Sequence, residues 1–351
     1  MKKIVFSLVT FLVASLSFAQ NIPAYYSSID FDLNGVPLKE QLAELITNTH
    51  TNQLSYTPGI WEALKNTDLD PEDNNKVLLL YGWANTTSGQ HARTRAKNSN
   101  GGNSGQWNRE HTYAKALGSP NLGTSGPGAD AHHLRASDVQ WNNSRGNSKF
   151  ADGSGNSGPV SGGWYPGDEW KGDVARMMMY MYVRYGTQCL PANVGVGSTA
   201  NTPDGMIDLF LEWNVEDPVS EVEIQRNDYL GGTGQYAQGN RNPFIDNPYL
   251  ATKIWGGDPA EDTWGILNTK DFNLVEFNLY PNPAKNNTVY LSSKENIEQI
   301  LIFTTDGKLI RKINNPVFID ETLQIDKLSS GLYLIKVKSN SKIASKKFIV
   351  E

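Results

Sequence analysis

Two stretches of the 351-residue chain concentrate side chains that handle protons and hard cations. One is Trp107-Asn108-Arg109-Glu110-His111-Thr112. The other runs from Asp130-Ala131-His132-His133-Leu134-Arg135 to Asp138-Val139-Gln140-Trp141-Asn142-Asn143-Ser144-Arg145. Cleaving a phosphodiester requires a base to activate water, a cation to neutralise the phosphate and the departing oxygen, and donors that position the strand. His111 has a reference pKa near neutrality and can take a proton from water at about pH 7. Glu110 and Asn142 offer oxygens, which suit a hard ion such as Mg²⁺, or else Ca²⁺ or Mn²⁺, rather than zinc.

The cations around this set are open to two readings each. Arg145 shares a helix face with Asn142 and is equally a phosphate contact or half of a structural ion pair. Arg176 lies in an apolar segment, as a buried paired arginine or a phosphate clamp. Lys115, Arg109 and Arg135 are further candidates for holding phosphate, and Arg241 reads more as a loop-fixing residue than as a substrate contact. His132 and His133 are adjacent, so on a strand they point to opposite faces and stand behind the site rather than sharing one metal. A zinc hydrolase built on them is a weaker alternative, because no His-x₃-His or Cys-x₂-Cys spacing accompanies them.

Net charge is −6, but it is unevenly distributed: residues 91–149 hold 8 basic and 3 acidic side chains, residues 150–275 hold 7 and 17. The basic segment also carries four of the five histidines. Local positive charge inside an acidic protein suits a site for phosphate. His91, among Thr, Ser, Gly and Asn, reads as a solvated-loop residue, with nucleic-acid contact as the alternative. Trp107 and Trp141 read as core. His50 follows a helix end, where it interacts with the last carbonyls more often than with metal.

The elements that must position these groups are partly legible. Leu38, Leu42, Leu45 and Ile46 are spaced three and four apart, which predicts an amphipathic helix over about 36–49. Residues 172–185 are apolar nearly all round and predict a central helix ending at Gly186. A helical pair follows at about 205–214 and 218–229. Val77–Trp83 reads as a buried strand and 84–106 as loop. Around the site we expect a strand ending in Glu110-His111, a short strand near 131–135, and a helix over about 138–145 capped by Ser137 or Asp138. Beyond about residue 276, short alternating strands at roughly ten-residue spacing predict a small all-β sandwich.

Lys2 and Lys3, an apolar run from Ile4 to about Leu16, and Ser17-Phe18-Ala19 before Gln20 read as a signal peptide, so the mature protein is expected to be exported and to carry no transmembrane segment. The one cysteine, Cys189, forbids an intramolecular disulfide and reads as an inert structural residue. With 38% hydrophobic residues and no periodic repeat, collagen, coiled coil and full-length disorder are excluded.

Together with Gly172-Asp173-Val174-Ala175-Arg176 and Gln238-Gly239-Asn240-Arg241-Asn242-Pro243-Phe244-Ile245-Asp246, the two stretches resemble the secreted and periplasmic bacterial endonuclease I family over about residues 25–265. These are nucleases with a ββα-metal (His-Me finger) site. The resemblance implies His111 as general base and Glu110 and Asn142 as ligands of one divalent ion. It implies DNA and also RNA as substrates, cut with little sequence preference to leave 5′-phosphate ends. Better-known members carry disulfides and an arginine between the histidine and the metal asparagine. Residues 112–134 contain none, so Lys115, Arg135, Arg145 or Arg176 would have to substitute. Phe277-Asn278-Leu279-Tyr280-Pro281-Asn282-Pro283 and Ser330-Gly331-Leu332-Tyr333-Leu334-Ile335-Lys336-Val337 resemble the C-terminal sorting domain of type IX secretion cargo, a carbohydrate-binding or structural β-module being the alternative.

The fold class expected is therefore α+β: a mostly helical nuclease domain with a ββα-metal core, plus an Ig-like sandwich. The expected divisions are a signal peptide at 1–19, the nuclease at 20–265, a linker at 266–275 and the sorting domain at 276–351. A secreted Ca²⁺-binding adhesion protein that lacks hydrolytic activity is the rival from another class.

Overall fold

The structure, a computed structural model, describes residues 21–266, 277–305, 307–339 and 342–351. The expected signal peptide and most of the expected linker lie outside the described residues. The chain forms two compact units, the first ending at Ile266. No described helix is long and apolar enough to cross a membrane.

In chain order the first unit contains α1 (Gly35–Asn48), α2 (Trp61–Thr67), β1 (Leu69–Asp70), β2 (Asp73–Leu78), β3 (Thr94–Ala96), β4 (Trp107–His111), β5 (Leu134–Asp138), α3 (Val139–Arg145), β6 (Gly158–Val160), β7 (Gly163–Tyr165), α4 (Lys171–Tyr185), α5 (Pro191–Val194), α6 (Asp208–Glu216), α7 (Glu221–Leu230), α8 (Pro243–Asp246) and α9 (Tyr249–Trp255). α4 is the axis. Every residue from Gly172 to Val183 is buried, and Met177, Met178, Met179 and Met181 pack with residues of α1, α6 and α9 in one apolar core. Full burial of such a side chain contributes roughly 1.5–3 kcal/mol, so this helix is held by packing on every side. A capping box between Ser220 and Glu223 starts α7.

The second apolar cluster matters more for chemistry. Ile60, Ala63, Leu64, Val77, Leu79, Trp107, Leu134 and Ala136 form it, and it backs the antiparallel pair β4–β5. Their register sets Asn108 opposite Ser137, Glu110 opposite Arg135 and His111 opposite Leu134. All five residues of β5 are buried.

Three strand readings differ from expectation. Within 84–106, read as loop, Thr94–Ala96 forms β3 and pairs antiparallel with β2. Residues 77–83 do not form one strand: β2 stops at Leu78, because Tyr81 takes a left-handed φ of 74°. A Cβ on Gly82 would also lie 2.2 Å from the Ala92 carbonyl oxygen, so the chain turns there against its neighbour. The strand expected near 131–135 begins only at Leu134. The Asp130 side chain accepts from the His132 amide at 2.9 Å, a local turn that withholds residues 130–133 from the ladder. His132 and His133 are therefore turn residues and not opposite faces of a strand.

The second unit is all-β. β8 (Asn278–Tyr280), β9 (Val289–Ser292) and β12 (Thr322–Ile325) form one sheet; β10 (Gln299–Thr304), β11 (Leu309–Asn314), β13 (Gly331–Ser339) and β14 (Lys342–Val350) form the other, in the order β11-β10-β13-β14. Tyr333, Ile335 and Val337 alternate inward along β13 and share a core with Leu291, Ile300, Ile302, Ile325 and Phe348.

Candidate active site at the crossing of β4 and α3

Period-two alternation along β4 sorts its side chains onto two faces. Trp107 sits in the apolar cluster behind the strand, edge-on to Trp61, and Arg109 and His111 share its parity. Asn108 and Glu110 take the other face. α3 crosses that second face, and its start is fixed by Asp138, whose carboxylate accepts from the Gln140 and Trp141 amides while pairing with Arg95 at 2.5 Å.

On α3, Asn142 and Arg145 are three residues apart and lie on one face. They meet β4 rung by rung. Asn142 Nδ2 donates to Asn108 Oδ1 at 2.8 Å, and Arg145 Nη1 donates to Glu110 Oε1 at 3.1 Å. Tyr81 donates to the same Glu110 oxygen at 2.9 Å. Glu110 is 2% exposed, and burial pushes its carboxyl up to about 7 against the opposing pull of Arg145 and Tyr81.

His111 lies at the end of β4 on the opposite side. Its Nε2 is 3.0 Å from the Gly128 carbonyl oxygen. A carbonyl only accepts, so Nε2 carries the proton and Nδ1 the lone pair. Burial, with His133 next, pulls the imidazole down to about 3, so it is neutral at working pH but a much weaker base than the near-neutral value expected from sequence. Tyr56 stacks on the ring, centroids 5.5 Å apart at 25°. His133 is 5.6 Å away, centroid to centroid, and contacts the neighbouring Pro127 carbonyl at 2.8 Å. One short turn, Gly126–Ala129, therefore fixes both rings.

The other expected residues fall in distinct places. Arg145 is buried, its guanidinium taken up by Glu110 and the carbonyls of His111, Thr112 and Gly146. Arg109 is layered between the rings of Tyr56 and Trp61, at 3.6 and 4.2 Å, and donates to Tyr56 O and Thr57 Oγ1. Arg135 bridges Asp68 and Asp173 in the interior, and Arg176 is paired with Glu223 at 2.6 Å. Arg241 joins Asp246 and Asp228. His132 contacts the Asn240 carbonyl and the Tyr180 ring. Lys115 is exposed, has no carboxylate partner among the described residues, and its charge is among those lowering His111. Three arginines of the basic segment (Arg95, Arg135 and Arg145) are buried, as are its three acidic residues, so its charge excess is carried by Arg93, Lys97, Arg109, Lys115 and Lys149, which are exposed or half-buried. His91 is not a free loop residue either: it packs between Trp83 and Trp141. Of the two expected core tryptophans, Trp107 is fully buried and Trp141 half-buried.

Asn108, Tyr81, Tyr56 and the Gly128 carbonyl were not singled out from sequence. Asn108 had a signal, since it sits two residues before Glu110 on the same strand. Tyr81, Tyr56 and Gly128 reach the site only through the tertiary fold.

Among the described residues no three His, Cys, Asp or Glu side chains gather as a metal cluster. The donors present are instead one buried carboxylate, whose ionisation stays costly even beside Arg145, and one amide whose nitrogen is already engaged and whose oxygen is left to accept. That set fits a hard divalent ion completed by water and phosphate, as Mg²⁺ is usually held.

The chain is a nuclease: residues 34–249 match the Endonuclease I family, and the chain belongs to that family. Residues 278–351 match the secretion system C-terminal sorting domain, so the enzyme is exported. Among similar proteins, the extracellular ribonuclease of Bacillus subtilis (strain 168) is 45% identical over 232 residues, covering 63% of this chain and 75% of its own. That of Bacillus amyloliquefaciens is 43% identical over 233 residues, with the same shares.

Proposed function

We propose that this protein hydrolyses phosphodiester bonds of nucleic acid, RNA as well as DNA, with little sequence preference, at a ββα-metal site made by β4, β5 and α3. The observation that carries this reading is the pairing of Asn142 with Asn108 and of Arg145 with Glu110, which brings the carboxylate and amide onto one face of β4, with a neutral histidine at the strand's end on its other side. The names of the two relatives support RNA as a substrate.

Glu110 and Asn142 would hold a divalent ion, which would supply positive charge at the scissile phosphate and at the leaving 3′ oxygen; the products would carry 5′-phosphate ends. His111 Nδ1 accepts the proton of the attacking water, and the Gly128 carbonyl keeps Nε2 protonated and the ring fixed. Arg145, out of reach of solvent, acts as a positioning residue for Glu110. Lys115 is the cation left to meet phosphate on the His111 side, in place of the arginine missing from residues 112–134. The same reading takes residues 1–19 as a signal peptide, 20–265 as the catalytic domain, 266–275 as a linker and 276–351 as the address read by the type IX secretion machinery.

The test is direct. Purified protein is incubated with plasmid DNA and with ribosomal RNA in Mg²⁺, with and without EDTA, and the products are run on a gel. Cleavage that EDTA stops and restored Mg²⁺ recovers is the expected result; intact DNA and RNA in Mg²⁺, or cleavage that EDTA leaves untouched, overturns the reading.

A further inference from the structure

We infer that Trp83, backed by His91 and Trp141, is a stacking platform for an unpaired base of the nucleic-acid strand beside the catalytic site. The inference rests on the nuclease reading for its ligand, and it assigns that ligand a single-stranded form.

Trp83 is 40% exposed, unlike the tryptophans buried in the core. It is not loosely displayed. Its amide and that of Ala84 both donate to the His91 carbonyl, at 3.1 and 2.9 Å. Trp170 Nε1 donates to the Gly82 carbonyl at 3.0 Å, and Gly82 lies so close to Ala92 that no side chain fits there. The indole stacks on His91, centroids 4.8 Å apart at 20°. His91 is held edge-on by Trp141 at 4.4 Å and by Gln90 Nε2 at 3.1 Å from its own Nε2. Trp141 in turn is anchored on Trp164 and by Nε1 to Ser157 Oγ. An exposed indole is thus braced from behind by two further rings, a costly arrangement for a surface with nothing to bind.

Two chain connections fix its place. Trp83 is two residues from Tyr81, which donates to Glu110, so their Cα atoms are at most about 7 Å apart. Trp141 immediately precedes Asn142 on α3. The rim of the platform, Ala84 to Gln90, contains no acidic residue, and the nearby Glu169 is neutralised by Arg93. A flat aromatic with an uncharged polar rim recognises the face of a base rather than a phosphate, and a base presents its face only where the strand is unpaired.

The experiment uses the full chain carrying His111→Ala, so that bound strands survive, in Mg²⁺. Fluorescence anisotropy reads the affinity for a labelled 12-nucleotide single strand and for the matching duplex. Trp83→Ala should weaken single-strand binding about tenfold or more, the loss expected for one stacked base, with a much smaller effect on the duplex. Trp83→Phe, which still stacks, should recover most of it. Unchanged single-strand affinity in Trp83→Ala, equal losses on strand and duplex, or a Trp83→Phe as weak as Trp83→Ala would overturn the platform. Cleavage by the unmutated protein is scored separately, so failure of the nuclease reading shows as intact substrate even where stacking holds.

Discussion

At the scale of single residues, the proposed site withholds water from two ionisable groups with opposite effects on their pKa: Glu110 is raised and His111 lowered. Burial keeps His111 neutral, its Nδ1 lone pair unprotonated though only weakly basic, and it makes the Glu110 carboxylate costly even beside Arg145. His111→Ala should reduce kcat by about 10²–10⁴, and anisotropy should show nucleic acid still bound. The Glu110 shift has a signed consequence for stability. Its folded pKa, about 7, lies above the unfolded value of about 4.3. The fold therefore gains from this group below about pH 4.3, and the gain drains away as pH rises through about 7. Only the carboxylate binds metal, so the rise in Tm caused by saturating Mg²⁺ should be small at pH 5 and climb to a plateau above pH 7. A Tm rise independent of pH in scanning fluorimetry would remove Glu110 from the metal.

At the scale of elements, three short pieces hold the proposed site: β4, α3 and the Gly126–Ala129 turn. A Cβ on Gly128 would lie 2.2 Å from the Gly123 carbonyl oxygen, which is backbone and cannot swing aside. Gly128→Ala must therefore displace the carbonyl that orients His111, and steady-state kinetics should show a loss in kcat larger than any change in KM. Asp138 does two jobs. Asp138→Ala removes the α3 cap, worth about 1 kcal/mol, and leaves Arg95 buried without its partner, worth about 3–5 kcal/mol. Asp138→Asn keeps the cap, so urea denaturation should place it between Asp138→Ala and the parent. These elements were legible in sequence to different degrees. Local patterns announced α1, α4, the end of β4 at His111 and a cap at Ser137 or Asp138, of which Asp138 supplies it, because helical spacing and capping are decided within a few residues. The fates of Arg135, Arg145 and Arg176 were not announced. Each is settled by a carboxylate brought in from elsewhere in the chain: Asp68 and Asp173, Glu110, and Glu223. No spacing rule carries that information.

At the scale of the whole molecule, the two units have separate apolar interiors among the described residues, the catalytic one drawing on none beyond Ile266. A chain ending at Ile266 should consequently keep its fold and its cleavage of RNA in Mg²⁺. Calorimetry of the full chain should show two transitions, of which the shortened chain keeps one. Loss of circular dichroism and of cleavage on shortening would show the first unit to be dependent on the second. The division also explains why the sandwich was readable as a β module from alternation alone: each strand of β13 type buries every second residue against its own partners.

The lone thiol has a consequence for where such an enzyme can operate. Cys189 is buried, and its surroundings push it up to about 12, so it stays protonated and unreactive. The folded chain asks nothing of an oxidant on its way out of the cell and offers nothing to a reductant once there. Dithiothreitol or an anaerobic sediment should leave its catalysis as it was in air.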